Sequence, residues 1–534
     1  MKDTNKKRNK YDTIVVGGGI AGLTATAYLA RSGQKVLLIE KNKECGGLVN
    51  TFTVDGFSFD AGVRALEDAG IILPMLKDLG IDLQFVKSPV TVGIENEMLN
   101  IENIDSLEDY KDLLIKFYPN SKKDIEIIIK NIRNIMKHMD VLYGIENPLF
   151  KDLPKDTEFI FKTLLPWFPK FLLTIRKINK MQLPVEEYLE NIIQDGSLRD
   201  IISQHFFKNT PTFFAMSYFS LYLDYFYPKG GVGKISEAMV SRIIELGGEI
   251  KRETKIEKVL AAKKKGVDNN GVSYSYDNLI WAANLQTLYQ ITNVDNLSSE
   301  IKKDFQERKK IIMENRGGDS VFSLFVEVDE PLDTFRRITN GHLFYTPSRK
   351  GLGKTHREEL DNLLNEFDKV KKKDVLKWLK RFIELNTFEI SIPGLKDSSM
   401  APNGKTGVII SFLSEYDLFN KIQKAGWIGE FVFELENEIL RVISDSVFPM
   451  LKEKVIKRFS FSPLNIKNRV GSSEGGITGW AFKENMPVIN QIHKAGGSVV
   501  TPLTSIYKAG QWAYSPAGVP MSILTGKIAS DKIV

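Results

Sequence analysis

The chain has 534 residues, 43% hydrophobic and 26% charged, which is the composition of a globular protein with enough apolar residues for a large core. Its 73 basic and 67 acidic residues leave a net charge of +6, an excess too small to indicate a nucleic-acid partner. One cysteine and five histidines without ligand spacing exclude a disulfide framework and predict no metal site.

The first 30 residues combine a basic stretch, residues 2 to 10, with an apolar run, residues 14 to 30. This order superficially resembles a secretion signal, but glycines at fixed spacing inside the run indicate a different role. No segment reaches the roughly 18 charge-free apolar residues that a membrane-spanning helix needs. We therefore expect a cytoplasmic protein that attaches, at most, peripherally to a membrane.

The most specific motif begins at Thr13 and reads T-I-V-V-G-G-G-I-A-G. The apolar residues predict a buried parallel strand, and Gly17 permits the tight turn after it. Gly19 lets the backbone approach a pyrophosphate, and Gly22 lets the next helix pack closely. A second strand, K-V-L-L-I, ends at Glu40, where the ribose hydroxyls are bound in such units. Together these features predict a dinucleotide-binding site.

A second group of glycines follows this unit. Gly46 and Gly47 come soon after Lys41, and Gly56 and Gly62 continue the pattern as D-G-F-S-F-D-A-G. The pair at 46 and 47 is more than a nicotinamide site requires and suits a loop beneath an extended FAD. Taken alone, the pair is also compatible with an ordinary surface turn.

The order of glycine triplet, Glu40, Gly46-Gly47 and the G-F…D…G sequence resembles the phytoene desaturase, carotenoid isomerase and retinol saturase group. These are FAD enzymes of the amine-oxidase-like superfamily. The resemblance recurs at residues 227–231, 247–256, 393–404, 471–479 and 509–520. It covers most of the chain, although residues 100 to 225 carry few motifs.

The resemblance implies an α/β protein with a Rossmann-like FAD-binding domain and an interleaved α+β substrate domain. The FAD-binding domain would comprise residues 11–100, 226–290 and 456–534, and the lipid-binding domain residues 101–225 and 291–455. In relatives, the last motif places a helix N-terminus against the isoalloxazine, and the residue matching Ile256 contacts the adenine. The residues expected around non-covalent FAD are Gly17, Gly19, Ile20, Ala21, Gly22, Glu40, Lys41, Gly46, Gly47, Leu48, Gly62, Val63, Ile256, Gly510, Gln511, Gly518, Val519 and Pro520.

The resemblance also implies the chemistry, which is desaturation, saturation or isomerisation of carbon–carbon double bonds. The substrate would be a long apolar carotenoid-, retinoid- or isoprenoid-like lipid. No nucleophile–base arrangement is evident, so the flavin, which accepts or donates a hydride, would be the main redox group. Only one dinucleotide unit is present, which leaves open whether a partner protein, a quinone or oxygen exchanges the electrons.

Two side chains are candidates for catalysis, Arg64 and Glu67. A buried Arg64 disfavours a pure hydrocarbon substrate, because a buried arginine seeks an anion. The alternative is that Arg64 pairs with Glu67 or Asp68.

Three other functions are compatible with this scaffold: a fatty-acid double-bond isomerase, a flavin amine oxidase, and a non-enzymatic prenyl-lipid escort protein. The last is disfavoured because proteins of that kind have lost FAD, whereas this chain keeps the glycines and Glu40.

Several aromatic and basic segments are candidates for binding the lipid or for docking on a membrane. The aromatic residues between 206 and 227 either line a tunnel or form plain core. Residues 164 to 177, with Trp167, Phe168 and Phe171 beside basic residues, resemble an element that docks on an anionic membrane, as does the helix predicted at 368 to 385. Either segment is alternatively an amphipathic helix packed on the protein's own core. If docking holds, we expect the tunnel mouth near residues 164 to 180.

Overall fold

The computed structural model describes residues 9–534, so all but the last two residues of the basic stretch at 2 to 10 lie outside the described residues. The strands are β1 (Lys10–Val16), β2 (Val36–Ile39), β3 (Thr51–Val54), β4 (Phe57–Asp60), β5 (Phe85–Lys87), β6 (Val90–Ile94), β7 (Glu97–Ile101), β8 (Phe226–Pro228), β9 (Glu249–Lys251), β10 (Ile256–Leu260), β11 (Lys265–Asp268), β12 (Ser273–Trp281), β13 (Thr292–Asn293), β14 (Ser320–Val328), β15 (His342–Thr346), β16 (Phe388–Ser391), β17 (Thr406–Ser414), β18 (Val455–Phe461) and β19 (Ile506–Lys508).

Helices connect and cover these strands. They are α1 (Ile20–Arg31), α2 (Ile72–Asp78), α3 (Ser106–Phe117), α4 (Lys122–Tyr143), α5 (Leu165–Ile178), α6 (Val185–Glu190), α7 (Gly196–Ser203), α8 (Thr212–Met216), α9 (Tyr218–Asp224), α10 (Gly233–Glu245), α11 (Leu285–Ile291), α12 (Ser299–Met313), α13 (Leu332–Arg336), α14 (Glu358–Asn365), α15 (Lys372–Leu385), α16 (Pro393–Lys396), α17 (Tyr416–Lys424), α18 (Ile428–Ser446), α19 (Leu451–Lys454), α20 (Pro463–Val470) and α21 (Val519–Asp531). A short turn, Thr157–Phe159, and a π-helical stretch, Ile160–Leu164, lead into α5.

The first sheet is the predicted dinucleotide-binding sheet. Its strand order is β13-β10-β11-β12-β1-β2-β9, with β19 also paired to β12. Strands β12, β1, β2 and β9 are parallel, so their carboxyl ends meet at one edge. Val15 faces the core beneath α1, α10 and α21, whereas Ile14 and Val16 face the core beneath α11 and α12. Burial on both faces explains the uninterrupted apolar run in β1.

Helix α1 lies between this sheet and α21, and its residues 20 to 30 are all buried. The two helices approach closely because their contact residues are small: a Cβ on Gly526 would lie 2.4 Å from the Ala21 carbonyl oxygen. The C-terminal helix α21 thus packs closely on the helix that follows the glycine loop.

The second sheet has seven strands in the order β18-β14-β17-β16-β15-β6-β7. It contains β6 and β7, which except for Ile101 fall in the range 11–100 predicted for the first domain. It also contains β18, which except for Val455 falls in the range 456–534 predicted for the same domain. In the other direction, β13 and α12 pack with the first sheet. The pattern of apolar and polar residues along these segments predicts strands and helices. It does not show which strands pair, and so it does not assign a strand to one sheet or the other.

Helices α3, α4 and α6 to α9 form a third core with β6 and β7. Helix α15 packs its apolar face, including Trp378 and Phe382, against the second sheet. For this helix the structure therefore favours internal packing, with its lysines on the solvated face, over membrane docking. Within residues 9–534, no helix is both long and apolar enough to cross a membrane.

Candidate active site

One cavity of about 640 Å³ begins at the carboxyl ends of β1, β2 and β12 and continues to the second sheet. Of the eighteen residues predicted around the cofactor, sixteen line this cavity. Gly22 and Pro520 do not. Gly22 packs behind the loop, and Pro520 lies in the first turn of α21.

The glycine loop has the backbone geometry of a phosphate cradle. Gly17 has a φ of +107°, and a Cβ on Gly22 would lie 1.9 Å from the Gly17 carbonyl oxygen, so only glycine fits either position. Gly46 N donates to Gly18 O at 2.7 Å, which joins the second glycine pair to the first loop. A Cβ on Gly19 would meet no protein atom within 4 Å and would project into the cavity.

The carboxylate of Glu40 is held firmly at the end of β2. Its Oε2 accepts from Gly18 N at 2.7 Å, and its Oε1 accepts from Asn42 N and Nδ2 at 2.8 Å. This places an oriented acid beside the glycine loop, as ribose recognition requires. Cys45 lies behind the loop, where burial raises the pKa of its thiol to about 11.

The C-terminal motif supplies the other end of the cradle. Gly510 N donates to Thr525 Oγ1 at 2.9 Å, with a φ of +86° at Gly510. Gly518 is the N-cap of α21, so the positive end of the helix dipole meets the cavity between Gly518 and Val519. The cavity therefore has a helix N-terminus at each of two places, α1 and α21, as an extended dinucleotide requires.

Several cavity residues were not among those predicted around the cofactor. They are Trp281 at the end of β12, Ala282 and Asn284 just after it, Thr254 before β10, Arg469 near the end of α20 and Ser472 after that helix. The β12 residues could have been found, because the carboxyl ends of adjacent parallel strands form the ligand edge of such sheets. Arg469 and Ser472 come from α20 and the loop after it, and α20 directly follows β18 of the second sheet.

Arg64 is buried, with 4% of its surface exposed, and faces the same cavity. It pairs with Glu389 rather than with Glu67 or Asp68: Nη1 lies 3.2 Å from Glu389 Oε2. Its Nη2 donates to Ser323 Oγ at 2.9 Å. Glu389, Ser411 and Ser323 are in register across β16, β17 and β14, so the sheet itself aligns this polar row.

Two further groups complete the polar cluster at Arg64. His342 Nε2 lies 3.3 Å from Glu389 Oε1, and burial lowers the pKa of this histidine. Lys396 Nζ donates to Arg64 O at 2.7 Å, and burial lowers its pKa to about 8. Burial alone would raise the pKa of Glu389, but Arg64, His342 and Lys396 together lower it to about 2. Glu389 is therefore a permanent anion at neutral pH.

Glu67, the second catalytic candidate, also lines the cavity. Burial, assisted by the charge of Asp224, raises its pKa to about 7. A Cβ on Gly518 would lie 3.6 Å from Glu67 Oε1, so the carboxyl group lies at the start of α21. Arg64 and Glu67 thus share one cavity.

One part of the aromatic stretch forms core, and another part lines the main cavity. Phe206, Phe219 and Tyr222 are buried in the helical core. A different face of the stretch lines the cavity: Phe207, Phe214, Tyr218, Leu221 and Tyr225. Their spacing is that of one helical face, and this signal could have separated the two sets.

Residues 160 to 178 present an exposed apolar surface. Trp167 and Phe171 stack on each other at 4.5 Å, and Trp167 Nε1 donates to Val141 O, so both are turned partly inward. The exposed large apolar residues of this segment are Phe161, Leu165, Phe168, Leu172 and Leu173. We call these five the apolar ridge. Lys162, Lys170, Arg176 and Lys177 are exposed around it.

Comparisons with known proteins agree with this geometry. Residues 15–79 match the model of the NAD(P)-binding Rossmann-like domain. An inactive all-trans-retinol 13,14-reductase of Danio rerio is 24% identical over 95% of this chain and 83% of its own length. A carotenoid 3,4-desaturase of Haloarcula japonica is 21% identical over 98% of both chains. A chloroplastic prolycopene isomerase of Daucus carota is 23% identical over 88% of this chain and 72% of its own.

Solved structures support the fold. An oxidoreductase from Methanosarcina mazei aligns with a TM-score of 0.60 and 16% identity, covering 97% of this chain and 98% of its own. A putrescine oxidase double mutant aligns with a TM-score of 0.59 and 14% identity, covering 98% and 99%. The predicted α/β fold class and the resemblance to retinoid and carotenoid enzymes are confirmed. Because one relative is named inactive, activity must be argued from this chain's own residues.

Proposed function

We propose that this relative of retinoid and carotenoid double-bond enzymes is an FAD-dependent oxidoreductase acting on a carbon–carbon double bond of a long apolar lipid. One observation carries the proposal: a single cavity joins the dinucleotide cradle at Gly19 and Glu40 to an aromatic chamber at Phe214 and Tyr218. A cofactor at one end and an apolar substrate at the other would therefore share one enclosed space.

The residues present fit FAD. Gly19 would receive the pyrophosphate, Glu40 the adenosine ribose, and the start of α21 at Gly518 the flavin ring. Bound FAD would supply a hydride acceptor or donor, which this chain's own side chains cannot.

The protein's part in the reaction is to position the lipid and to move a proton. Desaturation removes a hydride from one carbon and a proton from its neighbour, and Glu67 would accept that proton. Saturation is the reverse, with Glu67 as the proton donor. Desaturation would then pass two electrons to a quinone, oxygen or a partner redox protein, and saturation would take two electrons from a reduced quinone or a reduced partner protein. Isomerisation needs no net exchange.

Two rivals are less well supported. A flavin amine oxidase binds a cationic amine, which Arg64 and Lys396 beside the chamber would disfavour. A lipid escort protein does not need the cradle that this chain retains. A fatty-acid double-bond isomerase uses the same cavity and stays open as the second enzymatic candidate.

The lipid source that we propose is an anionic membrane surface. The apolar ridge would insert between headgroups while the surrounding lysines and arginine attract anionic lipids. A cavity of about 410 Å³ lies beneath α5, with Trp167 and Phe171 on one side and Ala69 and Tyr143 on the other. Ala69 is two residues from Glu67, which lines the main cavity.

The test is to purify the protein and measure its visible spectrum and its bound lipid. We expect a flavin spectrum, FAD released on denaturation, and an unsaturated lipid in the extract by mass spectrometry. Anaerobic incubation with that lipid should change the flavin redox state or the double-bond pattern of the lipid. A colourless protein that takes up no added FAD would contradict the proposal.

A further inference from the structure

The main cavity is separated from a second, smaller cavity by one side chain. The smaller cavity, of about 70 Å³, lies in the helical core between α4, α7, α8, α9 and the second sheet, and we call it the inner cavity. Of the residues that the structure describes, Tyr218 alone lines both the main cavity and the inner cavity. Its side chain is therefore the wall between the two spaces.

The ring of Tyr218 is held in place by other rings. Its centroid lies 4.9 Å from that of Phe206, 5.7 Å from that of Phe214 and 6.0 Å from that of Tyr222, and each pair meets edge to face. Edge-to-face contacts are a preferred geometry of aromatic pairs. The structure shows no hydrogen bond to the Tyr218 hydroxyl within residues 9–534. The position of this wall therefore depends on the ring and its packing, not on the hydroxyl group.

The inner cavity suits the end of a hydrocarbon chain. Isoleucines of α4 and α7 and Met216 line much of it. Burial lowers the pKa of His205 to about 4, so this lining residue is uncharged at neutral pH. The hydroxyls of Thr346 and Thr387, which also line it, are hydrogen-bonded to each other at 2.8 Å. A small cavity of this kind stays dry and accepts apolar groups.

We propose that Tyr218 is the end stop of the aromatic chamber and thereby determines how long a lipid the protein accepts. The start of α21 at Gly518, where the flavin ring would lie, lines the same cavity as Tyr218. A chain that stops at Tyr218 would therefore present one particular double bond to the flavin, because the distance between stop and cofactor is fixed. The inference rests on the proposed function, since it assumes that an apolar lipid occupies the chamber.

The test is a binding series without turnover. The FAD-loaded protein is titrated anaerobically with unsaturated isoprenoid hydrocarbons that lengthen by one isoprene unit at a time. Each is delivered from the same detergent micelles, and tryptophan fluorescence reports binding. For the wild type we expect the affinity to rise with chain length and then to fall sharply at the first homologue that is too long.

Tyr218→Ala should move this length limit upward by at least one isoprene unit, because the space of the ring and the inner cavity then join the chamber. The first homologue that the wild type excludes should bind about tenfold more tightly to the variant. A wild type that binds every length equally, or a limit that Tyr218→Ala leaves unchanged, would overturn the inference. Tyr218→Leu, which also removes the ring, decides the question if Tyr218→Ala does not fold.

Three control variants assign the effect to the inner cavity. Tyr218→Phe keeps the ring and should keep the wild-type length limit. Phe214→Ala removes a ring that lines the main cavity alone, so it should change the affinity alike for all lengths. Ala215 lines the inner cavity, and adding Ala215→Leu to Tyr218→Ala should fill that space and restore the wild-type limit. A limit that moves equally in Phe214→Ala, or that stays shifted in the double variant, would overturn the assignment.

The two proposals fail differently. A protein whose length limit moves in Tyr218→Ala but that alters no double bond would contradict the proposed function and leave this inference standing. A protein that alters double bonds, but whose length limit is the same in wild type and variant, would support the proposed function and overturn this inference.

Discussion

Arg64 Nη1 meets Glu389 Oε2 at 3.2 Å, although the two residues are 325 positions apart in the chain. Arg64 follows β4 beside the cofactor cradle, and Glu389 lies in β16 of the second sheet. The pair therefore joins the segment after β4 to the second sheet, at the cavity where cofactor and lipid would meet. Loss of either partner would leave a charge facing an apolar chamber.

Glu389→Gln should lower stability, with a defined pH dependence. The folded-state pKa of Glu389, about 2, lies below its unfolded value near 4.5, so its stabilisation is present above pH 4.5 and is lost as pH falls toward 2. Because the carboxylate is 35% exposed toward the cavity, solvent screens it, and we expect a loss on the order of 1 kcal/mol at pH 7. Thermal unfolding at pH 7, 5 and 3.5 should show that the stability difference between wild type and variant becomes smaller at the lowest pH. A stability difference that stays constant would contradict the pairing.

Glu67 should control the pH dependence of turnover. With a pKa of about 7, it accepts a proton only when ionised, so desaturation should rise with pH through 7, and saturation should fall. Glu67→Gln should lower kcat about 100-fold and abolish this inflection. Glu67→Asp should retain part of the kcat and part of the pH inflection. An unchanged inflection in the Gln variant would assign the proton transfer to another group.

Gly19→Val should prevent cofactor binding without unfolding the chain. A Cβ at this position meets no protein atom within 4 Å and points into the cavity where the pyrophosphate is expected. Gly429→Val is the matched control, because a Cβ there also meets nothing within 4 Å but lies in α18, remote from the cradle. Flavin content per protein should fall more than tenfold in the first variant only. Full flavin content in Gly19→Val would mean that the pyrophosphate does not bind at this loop.

Membrane attachment should depend on the apolar ridge. Replacement of Phe161, Leu165 and Phe168 by serine should abolish co-sedimentation with anionic liposomes, because the inserting apolar surface is removed. High salt should weaken wild-type binding. The control is Phe433→Ser on α18, where an exposed phenylalanine lies outside the ridge. Binding that survives the triple replacement would show that the ridge does not dock on membranes.

Lys508→Met should stabilise the protein. Lys508 is 5% exposed, and burial, assisted by Arg308, lowers its pKa to about 7. Because the folded pKa is below the unfolded value near 10.5, the cost of burying this lysine is full below pH 7 and disappears by about pH 10.5. Methionine should gain on the order of 2 kcal/mol at pH 6 and little at pH 10.5 in thermal unfolding. The control is Lys424→Met at an exposed lysine, which should leave the stability unchanged at both pH values. Equal changes in stability for the two variants would contradict the burial argument.

The cofactor cradle was predictable because its constraints are local. The turn at Gly17, the close contact at Gly22 and the acid at the end of β2 all lie within 24 residues, where backbone geometry dictates residue type. The same holds for the start of α21, which a glycine and a proline mark directly.

The polar cluster, the division of the strands and the exposed surface were decided only by tertiary structure. The sequence offered Glu67 or Asp68 as partners of Arg64, but its partner is Glu389 on β16. The strand pairing that places β16 there cannot be read from the alternation of residues along the chain. In the same way, β6 and β7 belong to the second sheet because β6 pairs with β15 and β7 pairs with β6. In α5, the sequence gives equal reason to expose Trp167 or Leu172, and only packing against α4 turns the tryptophan inward. Local chain geometry determines which residues can hold a cofactor, whereas contacts between distant segments determine which side chains the substrate meets.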